Sequence, residues 1–362
     1  MKLDLNIADK STWLSQNTPI IISGPCSVES EEQMMQTAKE IAKTGKVSIL
    51  RGGIWKPRTR PNSFEGVGEE GLKWLKNAGL EVGLPVATEV ANAEHVEACL
   101  KNGVDVLWIG ARTTVNPFSV QEIADALKGV DIPVIVKNPI TPDINLWIGA
   151  LERINAAGIT KIAALHRGFS SFHKSSYRNV PMWEIPIELK MMCPDLPLFC
   201  DPSHIAGDKE LISYVSQKAL DLDMEGLMIE SHINPLVAKS DAKQQVTPIE
   251  LNTLLDELII RDKHSESEEF INKLEQLRSV IDDLDEELIN KFASRMEIIE
   301  KIGTYKSENN VTILQLERWE KILSNRTFLA SKVGLSDEFI KKILELVHQE
   351  SIRVQTQVMN HK

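Results

Sequence analysis

The sequence predicts an α/β chain in two parts: a (β/α)8 TIM barrel followed by an all-α domain of three helices. Three observations carry this. Eight short apolar runs occupy the first 235 residues, with amphipathic helical patterns between most of them. Alternating strands and helices imply a parallel sheet, and eight such units imply one that closes into a barrel. Each run ends at or near a charged or metal-binding side chain, and the C-terminal strand ends are where a barrel builds its active site. Near residue 261 the composition changes: glycine becomes scarce, proline disappears and no strand pattern follows.

The strands are expected in this order. Ile20–Ser23 leads to Cys26, Val47–Leu50 ends in Arg51, and Pro85–Thr88 ends in Glu89. Val106–Ile109 leads to Arg112, Pro133–Val136 ends in Lys137, and Lys161–Leu165 leads to Arg167. Pro197–Cys200 leads to His204, and Gly226–Ile229 ends in Glu230. Helical spacing of apolar residues is clearest in Glu31–Lys43, where Met34, Met35, Ala38, Ile41 and Ala42 recur near a 3.6 period. Glu69–Ala78, Ala93–Asn102, Ser119–Lys128, Leu146–Ala157 and Lys209–Leu220 repeat it. A doubly wound sheet is the rival, but it rarely places function at every strand end.

Residues 261–269 (RDKHSESEE) are polar and aperiodic, and read as a linker between a barrel over 1–260 and a helical domain over 270–362. Phe270–Ile302 predicts one long amphipathic helix, with Ile271, Leu274, Leu277, Ile281, Leu284, Leu288, Phe292 and Ile299 on its apolar stripe. A second helix is expected from about Thr312 to Val333. A third should run from Asp337 to about Met359, with Ser336 as its N-cap.

Composition excludes several function classes. A net charge of −11 argues against general nucleic-acid binding, which needs a basic face. Cys26, Cys99, Cys193 and Cys200 show no CxxC spacing, which fits a reducing cytoplasm. No apolar run reaches the roughly 18 residues needed to span a bilayer, and the N-terminus lacks a signal-peptide core.

Cys26, His204, Glu230 and Asp241 combine a soft thiolate, an imidazole and two hard carboxylates. Such a set suits a divalent first-row ion, although an early-strand Cys also reads as core and a lone His as a satisfied polar group. Arg51, Lys56, Arg58, Arg112, Lys137 and Arg167 fall at predicted strand ends or in the following loops. Cations converging on one mouth repel each other unless anions sit among them. The expected substrates are therefore small molecules carrying phosphate and carboxylate groups, which arginine grips bidentately.

The segments GPCSVES (Gly24–Ser30), RGGIWKPRT (Arg51–Thr59), IGAR (Ile109–Arg112), DPSH (Asp201–His204), MIES (Met228–Ser231) and SDAKQQ (Ser240–Gln245) resemble the DAHP synthase family in order across the barrel. The resemblance implies metal-dependent condensation of phosphoenolpyruvate with erythrose 4-phosphate. It implies Cys26, His204, Glu230 and Asp241 as metal ligands, with Mn2+ first and Fe, Co or Zn as alternatives. Arg51, Lys56, Arg112, Lys137 and Arg167 would clamp phosphoenolpyruvate, with Lys56 catalytic, and Arg58 and Thr59 would take the sugar phosphate. Glu89 would orient the cations. The sister family that makes KDO phosphate carries Lys-Ala-Asn-Arg where this chain has Lys56-Pro57-Arg58-Thr59. His166 and Asn138-Pro139 depart from the pattern expected in close relatives.

In the tail, Arg278 and Arg295 lie 17 residues apart. On one straight helix that is about 25 Å, on different faces, so one chain cannot close both on one small molecule. Ser351 and Gln355 stack at i, i+4. KLEQLRSVIDDLDEELINKFASRMEIIEKIGTYK and SIRVQTQ resemble the all-helical AroQ class of chorismate mutase. The resemblance implies Arg278, Arg295, Lys306 and Gln355 as catalytic and Arg318 and Ser351 as substrate-binding. Chorismate would be the substrate, and a homodimer through the helical domain, or a higher assembly, would share the sites. Gln315 and Trp319 stand where acids commonly bind the substrate hydroxyl, and Glu317 sits on another face. Only about 19 residues precede the first strand, too few for an N-terminal regulatory domain, so feedback by prephenate or chorismate is expected through the helical domain. The alternatives are a helical module without mutase activity and a KDO-phosphate synthase barrel.

Overall fold

The computed structural model describes residues 2–14, 19–56, 63–172, 175–262 and 264–360. The chain divides into two compact units, Met1–Lys263 and His264–Lys362.

The first unit is built on a closed barrel in which each parallel strand pairs with its neighbours in sequence and β8 returns to β1. The strands are β1 (Ile20–Gly24), β2 (Ile49–Arg51), β3 (Val86–Val90), β4 (Val106–Ile109), β5 (Val134–Lys137), β6 (Ile162–His166), β7 (Leu198–Cys200) and β8 (Gly226–Glu230). Side chains alternate across a strand, so each strand divides its apolar residues between two cores. Ile22, Ile49, Ala87, Trp108, Ile135, Leu165, Phe199 and Met228 fill the barrel interior. Ile21, Leu50, Val86, Leu107, Val134, Ala164, Leu198 and Leu227 face the surrounding helices. At the end of β1, Gly24 has φ +151°, and a Cβ there would lie 2.0 Å from the Arg51 carbonyl oxygen. Only glycine lets β1 pass so close to β2.

The helices around the barrel are α1 (Glu31–Ala42), α2 (Glu69–Val82), α3 (Ala93–Lys101), α4 (Ala111–Thr114), α5 (Pro117–Ala126), α6 (Ile144–Ala156), α7 (Glu184–Met192), α8 (Pro202–Ala206), α9 (Ile212–Asp221) and α10 (Pro248–Glu257). Side-chain caps start many of them: Ser30 accepts from Gln33 N, Asn92 from His95 N, and Asp143 from Asn145 N. Four were not expected from the sequence: α7, α10 and the two short helices α4 and α8, whose four and five residues are too few to show a period. Pro186 interrupts the pattern of α7, but it sits in the first turn, where a missing N–H costs nothing. The signal for α10 was present in its Thr247/Glu250 capping box and in Pro248 at the first position.

The second unit holds three helices, α11 (Glu268–Glu308), α12 (Leu316–Lys332) and α13 (Asp337–Asn360). Helix α11 begins two residues before the expected start and continues six beyond the expected end. Ser267 caps it by accepting from Phe270 N. Helix α13 packs against both others, and a Cβ at Gly303 of α11 would lie 3.3 Å from Gln355 Cα. No described helix is long and apolar enough to cross a membrane.

Candidate functional site

Strand alternation places the barrel site. Residues two beyond an interior position share its direction, so Ile49 is followed by Arg51, Ala87 by Glu89, and Ile135 by Lys137. Leu165 is followed by Arg167, Phe199 by Asp201, and Met228 by Glu230. Where the interior stops needing apolar filling, the same register delivers charge to the C-terminal mouth.

Trp108 lies beneath this ring. Its Nε1 donates to Glu89 Oε2 at 2.9 Å, Arg51 Cζ lies 4.8 Å from its ring centre, and Lys137 Nζ lies 5.5 Å from it. Arg51 is buried and donates to Glu230 Oε1 at 3.0 Å and to the Cys26 carbonyl at 2.9 Å. Lys137 donates to Asp201 Oδ2 at 2.8 Å. Arg167 donates to Asn179 Oδ1 at 2.8 Å. Burial, against the pull of Asp201 and with Arg178 and Arg112 nearby, lowers the pKa of Arg167 to about 10. Arg112 is exposed on the short α4. Arg58 and Thr59 lie outside the described residues.

The four expected metal ligands gather as two pairs. Cys26 Sγ stands 3.4 Å from Asp241 Oδ2, and His204 Nε2 stands 3.8 Å from Glu230 Oε1. No three His, Cys, Asp or Glu side chains among the described residues form a ready cluster. Cations hold three of the same four groups: Lys56 Nζ lies 2.9 Å from Cys26 Sγ, Arg51 holds Glu230, and Arg178 donates to Asp241 Oδ1 at 2.9 Å.

The donor chemistry nevertheless fits a divalent cation. Burial, with Glu230 and Asp241 beside it, pushes the Cys26 thiol up to about 12, against the pull of Lys56 and Arg51. A metal ion would reverse that balance. His204 Nδ1 lies 2.8 Å from Asp201 Oδ2 without an aligned hydrogen bond, and this carboxylate favours the proton on Nδ1. In a neutral ring Nε2 would turn its lone pair toward the Glu230 carboxylate, two acceptors that a cation would reconcile, whereas a protonated ring faces Glu230 as a positive charge. Burial alone would raise the pKa of Glu230, but His204, Arg51 and Lys56 outweigh it and keep the group ionised.

Trp108, Asp201, Arg178, Asn179 and Gln244 were given no role in the sequence reading. Strand alternation was a signal for Asp201, two residues after Phe199. Arg178 and Asn179 come from an irregular loop, where no periodicity points to a partner.

In the helical unit, Arg295 Nη1 donates to Ser351 Oγ at 2.6 Å. Gln355 is buried and donates to the Ser351 carbonyl at 3.1 Å, while its Oε1 has no hydrogen-bond partner among the described residues. Lys306 donates to the Ile313 carbonyl at 2.6 Å, and burial lowers its pKa and that of Arg295. His348 stacks on Trp319 at 4.0 Å; burial, then Arg295 and Lys306, lower its pKa. The structure thus gathers Arg295, Lys306, Ser351 and Gln355 around the α11–α13 contact. Arg278 is outside this group, exposed and paired with Glu275 at 2.7 Å, and Arg318, Gln315 and Glu317 are exposed.

Residues 8–266 match the family model of the DAHP synthetase I family, and residues 277–356 match that of chorismate mutase type II. A phospho-2-dehydro-3-deoxyheptonate aldolase of Thermotoga maritima is 35% identical over 226 residues, covering 62% of this chain. The match spans 64% of that relative's length, just under two thirds. A 2-dehydro-3-deoxyphosphooctonate aldolase of Acidithiobacillus ferrooxidans is 29% identical, covering 62% of this chain and 83% of its own. The crystal structure of a Thermotoga maritima phospho-2-dehydro-3-deoxyheptonate aldolase (DAHP synthase) superposes with a TM-score of 0.60 at 33% identity. It covers 66% of this chain and 67% of its own.

Proposed function

We propose that this chain, which belongs to the DAHP synthetase I family, condenses phosphoenolpyruvate with erythrose 4-phosphate, and that its helical unit rearranges chorismate to prephenate. One observation carries the first reading: Arg51 and Lys137 end β2 and β5, Arg167 directly follows β6, and all three are buried in register with the barrel interior. Buried cations at a shared mouth are relieved by a small polyanion.

Arg51, Lys56, Arg112, Lys137 and Arg167 would bind the carboxylate and phosphate of phosphoenolpyruvate. The Lys56-Pro57-Arg58-Thr59 sequence supports a four-carbon over a five-carbon sugar phosphate. Cys26, His204, Glu230 and Asp241 would hold a divalent cation, Mn2+ first, which when bound supplies Lewis-acid polarisation of the aldehyde. Carbon 3 of the enol attacks the aldehyde carbon, and the aldehyde oxygen takes a proton. Water adds at carbon 2, and inorganic phosphate leaves from that carbon. The cations hold the enol phosphate in line and stabilise charge at the departing phosphate.

In the helical unit no proton transfer or nucleophile is needed. Arg295 and Arg278 of the partner subunit would bind the two chorismate carboxylates, and Lys306 and Gln355 would hydrogen-bond the ether oxygen. A homodimer is supported by Leu277, Ile281, Leu284, Leu288 and Phe292, all exposed along α11. Prephenate or chorismate bound there would inhibit the barrel by favouring one arrangement of the dimer. A cytoplasmic location agrees with four free cysteines. A second reading, a helical unit that binds prephenate without turnover, is favoured by Trp319, which stacks on His348 where an acid would hold the hydroxyl.

The test is phosphate release from phosphoenolpyruvate with erythrose 4-phosphate, before and after chelation, alongside conversion of chorismate. Metal-dependent release is expected. Release only with arabinose 5-phosphate would move the barrel to the sister activity, and absence of chorismate conversion would favour the second reading. Synthase kinetics unchanged by saturating prephenate would remove the feedback role.

A further inference from the structure

Two adjacent residues of the loop between β6 and α7, Arg178 and Asn179, tie together groups from three other parts of the barrel mouth. Arg178 Nη1 donates to Asp241 Oδ1 at 2.9 Å and to Gln244 Oε1 at 2.6 Å. Gln244 is buried, and its Nε2 donates to Glu230 Oε2 at 2.8 Å. The amide has one useful orientation: flipped, it would set NH2 against the guanidinium and oxygen against the carboxylate. One guanidinium therefore holds Asp241 directly and Glu230 through a single amide.

The same loop is stitched to the helix that carries His204. Arg178 N donates to the Ala206 carbonyl at 3.2 Å, and Asn179 N to the Ile205 carbonyl at 3.2 Å. Asn179 Nδ2 donates to the His204 carbonyl at 2.6 Å, while its Oδ1 accepts from Arg167 at 2.8 Å. The stem of Arg178 lies over Gly207, where a Cβ would come within 2.3 Å of Arg178 Cβ. Asp241 itself has φ +45°, a left-handed backbone that a non-glycine residue keeps only when its surroundings hold it there.

We infer that Arg178 is a positioning residue that sets the spacing of the Asp241 and Glu230 carboxylates relative to His204, and so tunes the affinity of the site for a divalent cation. This rests on the reading of Cys26, His204, Glu230 and Asp241 as ligands. Groups behind the ligands that fix their orientation commonly change metal affinity about 10- to 100-fold when removed.

The test titrates the full chain, first stripped with chelator, with Mn2+ and reads free Mn2+ by electron paramagnetic resonance. Thermal unfolding of the metal-free protein is measured in parallel. Cys26→Ala, which removes a ligand, is the reference. Arg178→Met is expected to weaken Mn2+ binding about 10-fold or more with little change in the metal-free unfolding midpoint. Arg178→Lys keeps the charge without the planar fork; it should fall between, and it stands in if Arg178→Met does not fold. Wild-type affinity in the Arg178 variants, with binding lost in Cys26→Ala, overturns the inference and leaves the ligand reading standing. No Mn2+ binding by the wild type, or undiminished binding by Cys26→Ala, overturns both.

Discussion

Lys137 Nζ lies 2.8 Å from Asp201 Oδ2 at the barrel mouth, and both side chains are buried. Asp201 also caps α8 by accepting from His204 N at 3.0 Å, and its other partner is the His204 ring. Burial alone would raise its pKa, but His204 and Lys137 reverse this and hold it well below the usual carboxylate range. Asp201→Asn keeps the shape and leaves a buried ammonium unpaired, a loss of about 3–5 kcal/mol. Urea unfolding should report that loss together with a collapse of phosphate release. Unchanged stability would mean that Lys137 finds another anion.

His166 ends β6 with its ring among Trp147, Phe169 and Trp183. Burial, with Arg167 beside it, lowers its pKa from 6.5 to about 3. As pH falls below 6.5 the unfolded chain takes up a proton that the folded chain refuses until about 3. Stability is therefore full above 6.5 and declines as pH falls toward 3. His166→Phe should flatten that part of a stability-against-pH curve measured by urea unfolding. An identical slope in the variant would assign the acid loss to other groups.

Arg295 contacts Ser351 in the helical unit. Arg295→Ala should slow chorismate conversion by about 100-fold or more, the scale of removing one preorganised donor. Phosphate release in the barrel should remain, because no barrel ligand changes. Undiminished conversion of chorismate would place that chemistry elsewhere.

Leu284 is 53% exposed midway along the apolar stripe of α11. A charge there should oppose burial against a second copy. Leu284→Glu is expected to shift the protein from dimer to monomer in sedimentation, and to cost chorismate conversion because Arg278 would come from the partner. A wild-type sedimentation profile would sink the proposed interface.

The barrel was legible because short apolar runs and helix periodicity are local signals, and eight alternating units leave few ways to close. The ring of Arg51, Glu89, Lys137 and Glu230 was legible for the same reason: each ends an apolar run with a charge in register with the interior. Helix α7 was less legible, because the proline that normally breaks a helix falls in the first turn, where it is harmless. The extent of α11 was also underestimated, since its last turns carry a weaker apolar stripe.

The sequence by itself determined the two units, the order of the strands and the charges that end several of them, because apolar runs and the 3.6 period of helices are each written in a short stretch of chain. Tertiary structure alone decided that Arg178 would hold Asp241, that Gln244 would join it to Glu230, and that Asn179 would brace both Arg167 and the His204 helix. These contacts join residues 12 to 66 positions apart, most of them in irregular loops. No local period encodes such a meeting; it exists only once the barrel has closed and brought the loops of β6, β7 and β8 to one rim.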